Sequence, residues 1–165
     1  MALAVPLSRR TSRAGGGSAF FVRHHSHHKN MDDTKCKALK AELAAQPEPQ
    51  IVSAERFFDG NDDPGSIGCN LMEHPGVDAF RDLLAGLLRR PDVQAVYAMI
   101  SELDPGDGCW PFTDTIFVVG TISSDELGGI LSSLEPDEIE VCEEIRIPPI
   151  IKQKHQAPVL AVWWD

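Results

Sequence analysis

Large apolar residues recur at helical spacing in two parts of the chain. From residue 77 to residue 88 they return every three or four positions, which is the spacing of one helix face. These residues are Val77, Phe80, Leu84, Leu87 and Leu88. Pro91 predicts the end of this helix. A second helix is predicted to begin at Ser123, because Ser123 and Glu126 have the spacing of a capping box and an apolar stripe follows them.

Other apolar segments lack helical spacing and are predicted to be strands. Two are continuous runs rich in β-branched residues, VQAVYAMISEL at 93–103 and TIFVVGTI at 115–122, which is typical of central strands. The first strand is predicted in QIVSAERFF, residues 50–58, and the last in APVLAVWWD, residues 157–165. EIEVCEEI, residues 138–145, alternates apolar and acidic residues, which predicts an edge strand half exposed to water.

The order of these elements predicts an α+β fold. It reads β-α-β-β-α-β, the split βαβ pattern of ferredoxin-like folds, with two helices on one face of an antiparallel sheet. An extra C-terminal strand follows, and its Trp163 and Trp164 are expected to be docked on the protein. Because this architecture hosts enzymes, metal carriers and regulatory domains alike, the fold does not predict a function.

Composition divides the chain into three parts. Residues 1–30 are rich in Arg, Ser, Gly and His and contain no acid, which is typical of an organellar transit peptide; alternatively, Met31 is the true start. The protein is expected in the cytoplasm, or in a mitochondrion or plastid if the leader is genuine. Residues 31–50 predict a short helix and a proline-containing tether, and residues 51–165 a single α+β domain.

The charge of the chain limits its partners. Residues 1–30 hold five of the 15 basic residues and none of the 25 acidic ones, which leaves residues 31–165 with 10 basic and 25 acidic residues and a net charge of −15. Such a surface repels phosphate backbones and anionic lipids, so neither nucleic acid nor a membrane is an expected partner. A basic protein is the partner that this charge favours.

One loop concentrates side chains that could hold a hard cation. In FFDGNDDPGSIGCNL, residues 57–71, the oxygen-bearing candidates are Asp59, Asn61, Asp62 and Asp63. The register of an EF-hand fails, because its sixth position holds Pro64 and its twelfth holds Asn70 in place of a bidentate Glu. The loop therefore predicts either weak calcium or magnesium binding or a turn in which these side chains bond to the backbone, and no cofactor is required.

A second long loop, LDPGDGCWPFTD at residues 103–114, is the predicted contact surface for a partner. Trp110 and Phe112 are the expected anchors, unless they cover the core, and Asp104 and Asp107 supply charge. Cys109 has no resolving cysteine nearby. The four cysteines of the chain include no C-x-x-C pair and are expected to be free thiols.

No catalytic motif accompanies these loops. The chain has no G-x-S-x-G, no P-loop and no H-E-x-x-H sequence. We therefore predict a small, acidic, non-enzymatic interaction or regulatory module that binds a basic protein, of undetermined oligomeric state. The alternative is a small hydrolase or isomerase that uses Asp104, Asp107 or Asp114 near Cys109.

Overall fold

The structure is a computed structural model, and it describes residues 31–165. The predicted leader at residues 1–30 lies outside the described residues. Five strands form one antiparallel sheet in the order β1-β2-β3-β5-β4. The strands are β1 Ile51–Ser53, β2 Val93–Glu102, β3 Phe112–Gly120, β4 Glu138–Val141 and β5 Val159–Trp163. The helices are α1 Asp33–Ala44, α2 Ala54–Phe58, α3 Val77–Leu88, α4 Ser124–Leu131 and α5 Pro149–Lys154.

The α+β class is confirmed, but the split βαβ order is not. In that order a third strand separates the two strands that the first helix joins. Here β1 pairs directly with β2, with Ile51 opposite Met99. The C-terminal strand that the sequence predicted is β5, which lies inside the sheet between β3 and β4. The predicted edge position of residues 138–145 is confirmed for β4.

The first predicted strand is shorter than expected because a helix interrupts it. The side-chain oxygen of Ser53 accepts a hydrogen bond from the Arg56 N–H at 3.3 Å and caps the N-terminus of α2. Residues 54–58 therefore turn into a helix that buries Phe57 and Phe58 in the core. The two predicted helices are observed as α3 and α4. Ser123 accepts a hydrogen bond from the Glu126 N–H at 3.2 Å at the start of α4.

The main core lies between one face of the sheet and the helices α1 to α4. Strand β2 shows the division, because Val96, Ala98 and Ile100 belong to this core while alternate residues point to the other face. On that second face, Ile151 of α5 packs with Phe117 and other apolar residues of the sheet. Among residues 31–165, no helix has both the length and the apolar character needed to cross a membrane.

The short helix predicted in residues 31–50 is observed as α1, and it packs against the body of the protein. Helix α1 begins after Asp32, whose carboxylate accepts a hydrogen bond from the Lys35 N–H at 3.0 Å. Cys36, Leu39 and Leu43 lie on one face of α1 and are buried in the main core. This segment therefore shares its core with residues 51–165.

Truncating a buried side chain of α1 is expected to destabilise the whole domain. Leu39 has no exposed surface, so Leu39→Ala should lower the free energy of unfolding by about 2–5 kcal/mol through lost burial and the remaining cavity. Lys37→Ala, on the exposed side of the same helix, is the matched control. Urea unfolding followed by circular dichroism measures both. Equal, small effects would mean that α1 is not part of the cooperative unit.

Candidate partner-binding site

The acidic loop is held together by its own side chains. Asn61 is 2% exposed; its Oδ1 accepts from the Asp63 N–H at 3.0 Å, and its Nδ2 donates to Ser66 Oγ at 2.9 Å. Asp63 is 5% exposed; its Oδ1 accepts from the Gly65 N–H and its Oδ2 from the Trp110 N–H, both at 2.9 Å. These two candidates for a cation site are therefore used to fold the loop and to fasten it to the second loop.

The other two candidates of the acidic loop do not join them around a common point. Asp59 is exposed, and its Oδ1 accepts a hydrogen bond from Lys35 Nζ at 2.6 Å, which lowers the pKa of the Asp59 carboxyl. Asp62 is partly buried. Within residues 31–165, no group of three or more His, Cys, Asp or Glu side chains is arranged to hold a metal ion. Weak cation binding here stays a prediction.

Trp110 does not lie where a partner could reach it. The residue is 0% exposed and forms part of the main core, while Phe112, the first residue of β3, is partly buried. Trp110 as a contact for a partner was therefore a wrong prediction, because the second loop folds its ring inward over the core. Asp104 and Asp107 remain on the surface, and Asp104 pairs with Lys40 Nζ at 2.6 Å.

The carboxylates near Cys109 engage different partners. Asp114 Oδ1 accepts from Ser101 Oγ at 2.8 Å and from Thr115 Oγ1 at 2.7 Å, whereas Asp104 bonds to Lys40. None of these acids lines the groove of about 440 Å³ between α2 and α3 or the groove of about 520 Å³ beside β2. Within the described residues, Asp104 and Asp114 therefore bond to different groups and line neither of these two grooves.

None of the four cysteines, all within residues 31–165, forms a disulfide bond, as predicted. Burial raises the pKa of the Cys36 thiol and of the Cys142 thiol. Both are therefore protonated at neutral pH, which disfavours a nucleophilic role.

An exposed surface that the sequence analysis did not assign lies at the β4 edge of the sheet. We refer to β4, the residues that follow it up to Ile145, and Trp163 of β5 as the acidic edge. Three apolar side chains on it are open to solvent: Val141 is 66% exposed, Ile145 is 86% exposed and Trp163 is 38% exposed. Trp164, in contrast, is buried, and its indole N–H donates to the Leu134 carbonyl at 2.7 Å. Only one of the two expected tryptophans is therefore docked.

Carboxylates accompany these apolar residues along the chain and in the strand register. Glu138, Glu140, Glu143 and Glu144 lie within seven consecutive residues. Glu138 stands opposite Trp163 in the β4–β5 register. Arg146 Nη1 lies 2.6 Å from Glu140 Oε1 and neutralises part of this charge. The sequence signal was present in EIEVCEEI, but it indicated only an edge strand, since exposure of Trp163 is not visible in a local pattern.

Comparison with known proteins identifies a family but no activity. Residues 34–160 match the family described as "Uncharacterized protein YfbO family". A similar protein is "Uncharacterized protein YfbO" of Escherichia coli (strain K12), 32% identical over 93 residues. That alignment covers 56% of this chain and 64% of the relative, so the chain spans less than two thirds of its relative's length. No solved structure matches the chain.

Replacing Asp63 is expected to weaken the fold whether or not calcium is present. Asp63→Asn removes one of the two acceptors that serve the Gly65 N–H and the buried Trp110 N–H, which should lower the free energy of unfolding by about 1–3 kcal/mol. Asp62→Asn, one residue earlier and less buried, should change it by less than about 0.5 kcal/mol. Thermal and urea unfolding measure both variants, with and without about 5 mM Ca²⁺. A calcium-specific stabilisation of the parent that both variants lose would instead support the cation site.

Proposed function

The chain belongs to the YfbO family, and we propose that it is a small acidic, non-enzymatic interaction module that binds a basic protein partner. The observation that carries this proposal is the acidic edge, where exposed apolar side chains stand among carboxylates. Exposed apolar surface that polar residues border is typical of protein interaction sites. Trp163 takes the role of aromatic anchor that the sequence had suggested for Trp110.

Charge and apolar surface contribute to such binding in different ways. The net charge of −15 over residues 31–165 attracts a basic protein over distances of about a Debye length and raises the association rate. Burial of Trp163 then provides affinity, since Trp is enriched among the residues that carry most binding energy. Val141 and Ile145 add apolar area that binding can remove from water. The same charge disfavours nucleic acid and anionic membranes as partners.

The proposed function requires no cofactor and no reaction at the acidic edge. Weak calcium or magnesium binding by Asp59, Asn61, Asp62 and Asp63 would be a separate property of the acidic loop. Asp104 and Asp107 lie on the surface of the second loop and add to the overall charge that steers the partner.

Removal of charge from the acidic edge should weaken partner capture. The test variant is Glu138→Gln/Glu143→Gln/Glu144→Gln, and the matched control removes the same charge from exposed positions elsewhere, Glu48→Gln/Glu55→Gln/Glu73→Gln. Immobilised full-length proteins capture partners from native extract at about 50 and about 300 mM NaCl, salt concentrations between which screening increases strongly. Captured proteins are identified by mass spectrometry and then purified for affinity measurement.

We expect the parent and the control to bind the same basic protein at low salt. The edge variant should bind it at least about tenfold more weakly, because both steering and the local charge pairs are lost. Equal losses in both triple variants would assign binding to overall charge and not to the edge. Failure to recover any salt-sensitive basic protein would contradict the proposed function itself.

A further inference from the structure

The backbone of β4 is paired on one side only. The Cys142 N–H donates to the Val159 carbonyl at 2.8 Å, and the Gly120 N–H donates to the Pro158 carbonyl at 2.9 Å. Antiparallel pairing alternates along each strand, so residues 159, 161 and 163 of β5 bond to β4 and residues 158, 160 and 162 bond to β3. Glu138 and Glu140 are therefore the residues of β4 whose backbone faces β5.

It follows that the N–H and C=O groups of Ile139 and Val141 point away from the sheet. No hydrogen bond from outside the β4–β5 ladder reaches either residue within residues 31–165. Strand β4 is the last strand of the sheet on this side, and Val141 is exposed. The edge thus presents a short row of backbone donors and acceptors in the geometry that an added strand requires.

We propose that an extended, basic segment of the partner protein adds to β4 as a sixth strand of the sheet. This inference rests on the proposed function and names its mode of binding. Hydrogen bonds to Ile139 and Val141 would supply the pairing, and side chains on the two faces would supply the selectivity.

The side chains of β4 specify which segment fits. Glu138 and Glu140 share one face of the sheet, in register with Trp163 and Ala161 of β5. Ile139 and Val141 alternate with them and point to the opposite face, where Ile139 packs against the main core. Opposite charges stabilise cross-strand pairs, so the matching segment alternates Lys or Arg with apolar residues.

The same charges exclude a second copy of this chain as the occupant. Pairing β4 with the β4 of another molecule would bring Glu138 and Glu140 close to identical carboxylates, and like charges across strands are destabilising. Acidic residues on an edge strand thus block self-association while leaving the edge open to a basic segment. Charge complementarity therefore selects a basic partner.

Arg146 competes with the incoming segment for Glu140. Its guanidinium lies 2.6 Å from the Glu140 carboxylate and is largely exposed. Arg146→Gln should free this carboxylate and strengthen binding of a basic strand by about two- to fivefold, which is a typical effect of one exposed ion pair. Arg89→Gln, which removes the same charge from the end of α3, is the control. Weaker binding after Arg146→Gln would contradict the competition.

A backbone-modified peptide tests strand addition directly. The probe is an acetylated, amidated hexapeptide of alternating Lys and Val, labelled for fluorescence anisotropy and titrated with the full chain. Two further peptides carry N-methyl groups on the three Lys or on the three Val residues. In an extended strand alternate N–H groups point to opposite sides, so only one pattern removes the donors that face β4. Charge and side-chain sequence are the same in all three peptides.

We expect one methylation pattern to weaken binding at least about tenfold and the other to change it by less than about threefold, since only one set of hydrogen bonds is lost. Val141→Pro on the protein should have a similar effect, because it removes an N–H that the β4–β5 ladder does not use. Val141→Ala removes the same apolar side chain but keeps that N–H, so the difference between the two variants measures the effect of the N–H alone. Thermal unfolding shows whether both variants fold. If Val141→Pro does not fold, the comparison of the two methylated peptides on the parent protein tests strand addition alone.

The outcomes separate the binding mode from the function. Equal binding of both methylated peptides would overturn strand addition but leave the proposed function intact. If the unmodified peptide does not bind, strand addition is also overturned. The proposed function is tested separately, by whether the protein captures a basic partner from native extract. A dimer in sedimentation that Val141→Pro abolishes would show that the edge pairs with a second copy, which likewise overturns this inference.

Discussion

The position of β5 between β3 and β4 is the constraint on which the rest of the architecture depends. Strand β5 is apolar on both faces: Leu160 and Val162 lie in the main core, whereas Val159 and Ala161 lie in the cluster around α5. Each face of the sheet therefore needs a cover, which α1 to α4 provide on one side and the short α5 on the other. Because β5 fills the interior position, the acidic β4 is left at the edge.

Carboxylates serve two opposite purposes in this molecule, and burial distinguishes them. Asp63 is enclosed and satisfies two backbone N–H groups, so it holds two distant loops in place. Glu138 and Glu144 are exposed and keep their charge available to solvent or to a partner. The acidic loop at residues 57–71 thus has a structural role, whereas the acidic strand β4 belongs to the candidate contact surface.

An open strand edge is a hazard unless something restricts what can pair with it. In β4 the restriction comes from alternation, because acidic residues occupy every second position and project to one face. Val141 and Ile145 are exposed next to these acidic residues in the sequence, and charged residues beside exposed apolar ones disfavour non-specific association. In the proposed interaction, repulsion of unsuitable partners would contribute to specificity as much as attraction of a suitable one.

The sequence by itself determined the elements that depend on local spacing: the apolar stripe of α3, the Ser123 cap of α4, the long strands β2 and β3, and the edge character of β4. It could not determine strand order, because a period identifies an apolar face but not the segment that packs against it. Nor could the sequence show which of Trp110 and Trp163 is buried and which is exposed. Only the tertiary structure decided that one is buried, since Asp63, 47 residues earlier, binds the Trp110 N–H and holds that loop over the core, whereas Trp163 lies on the less covered face of the sheet.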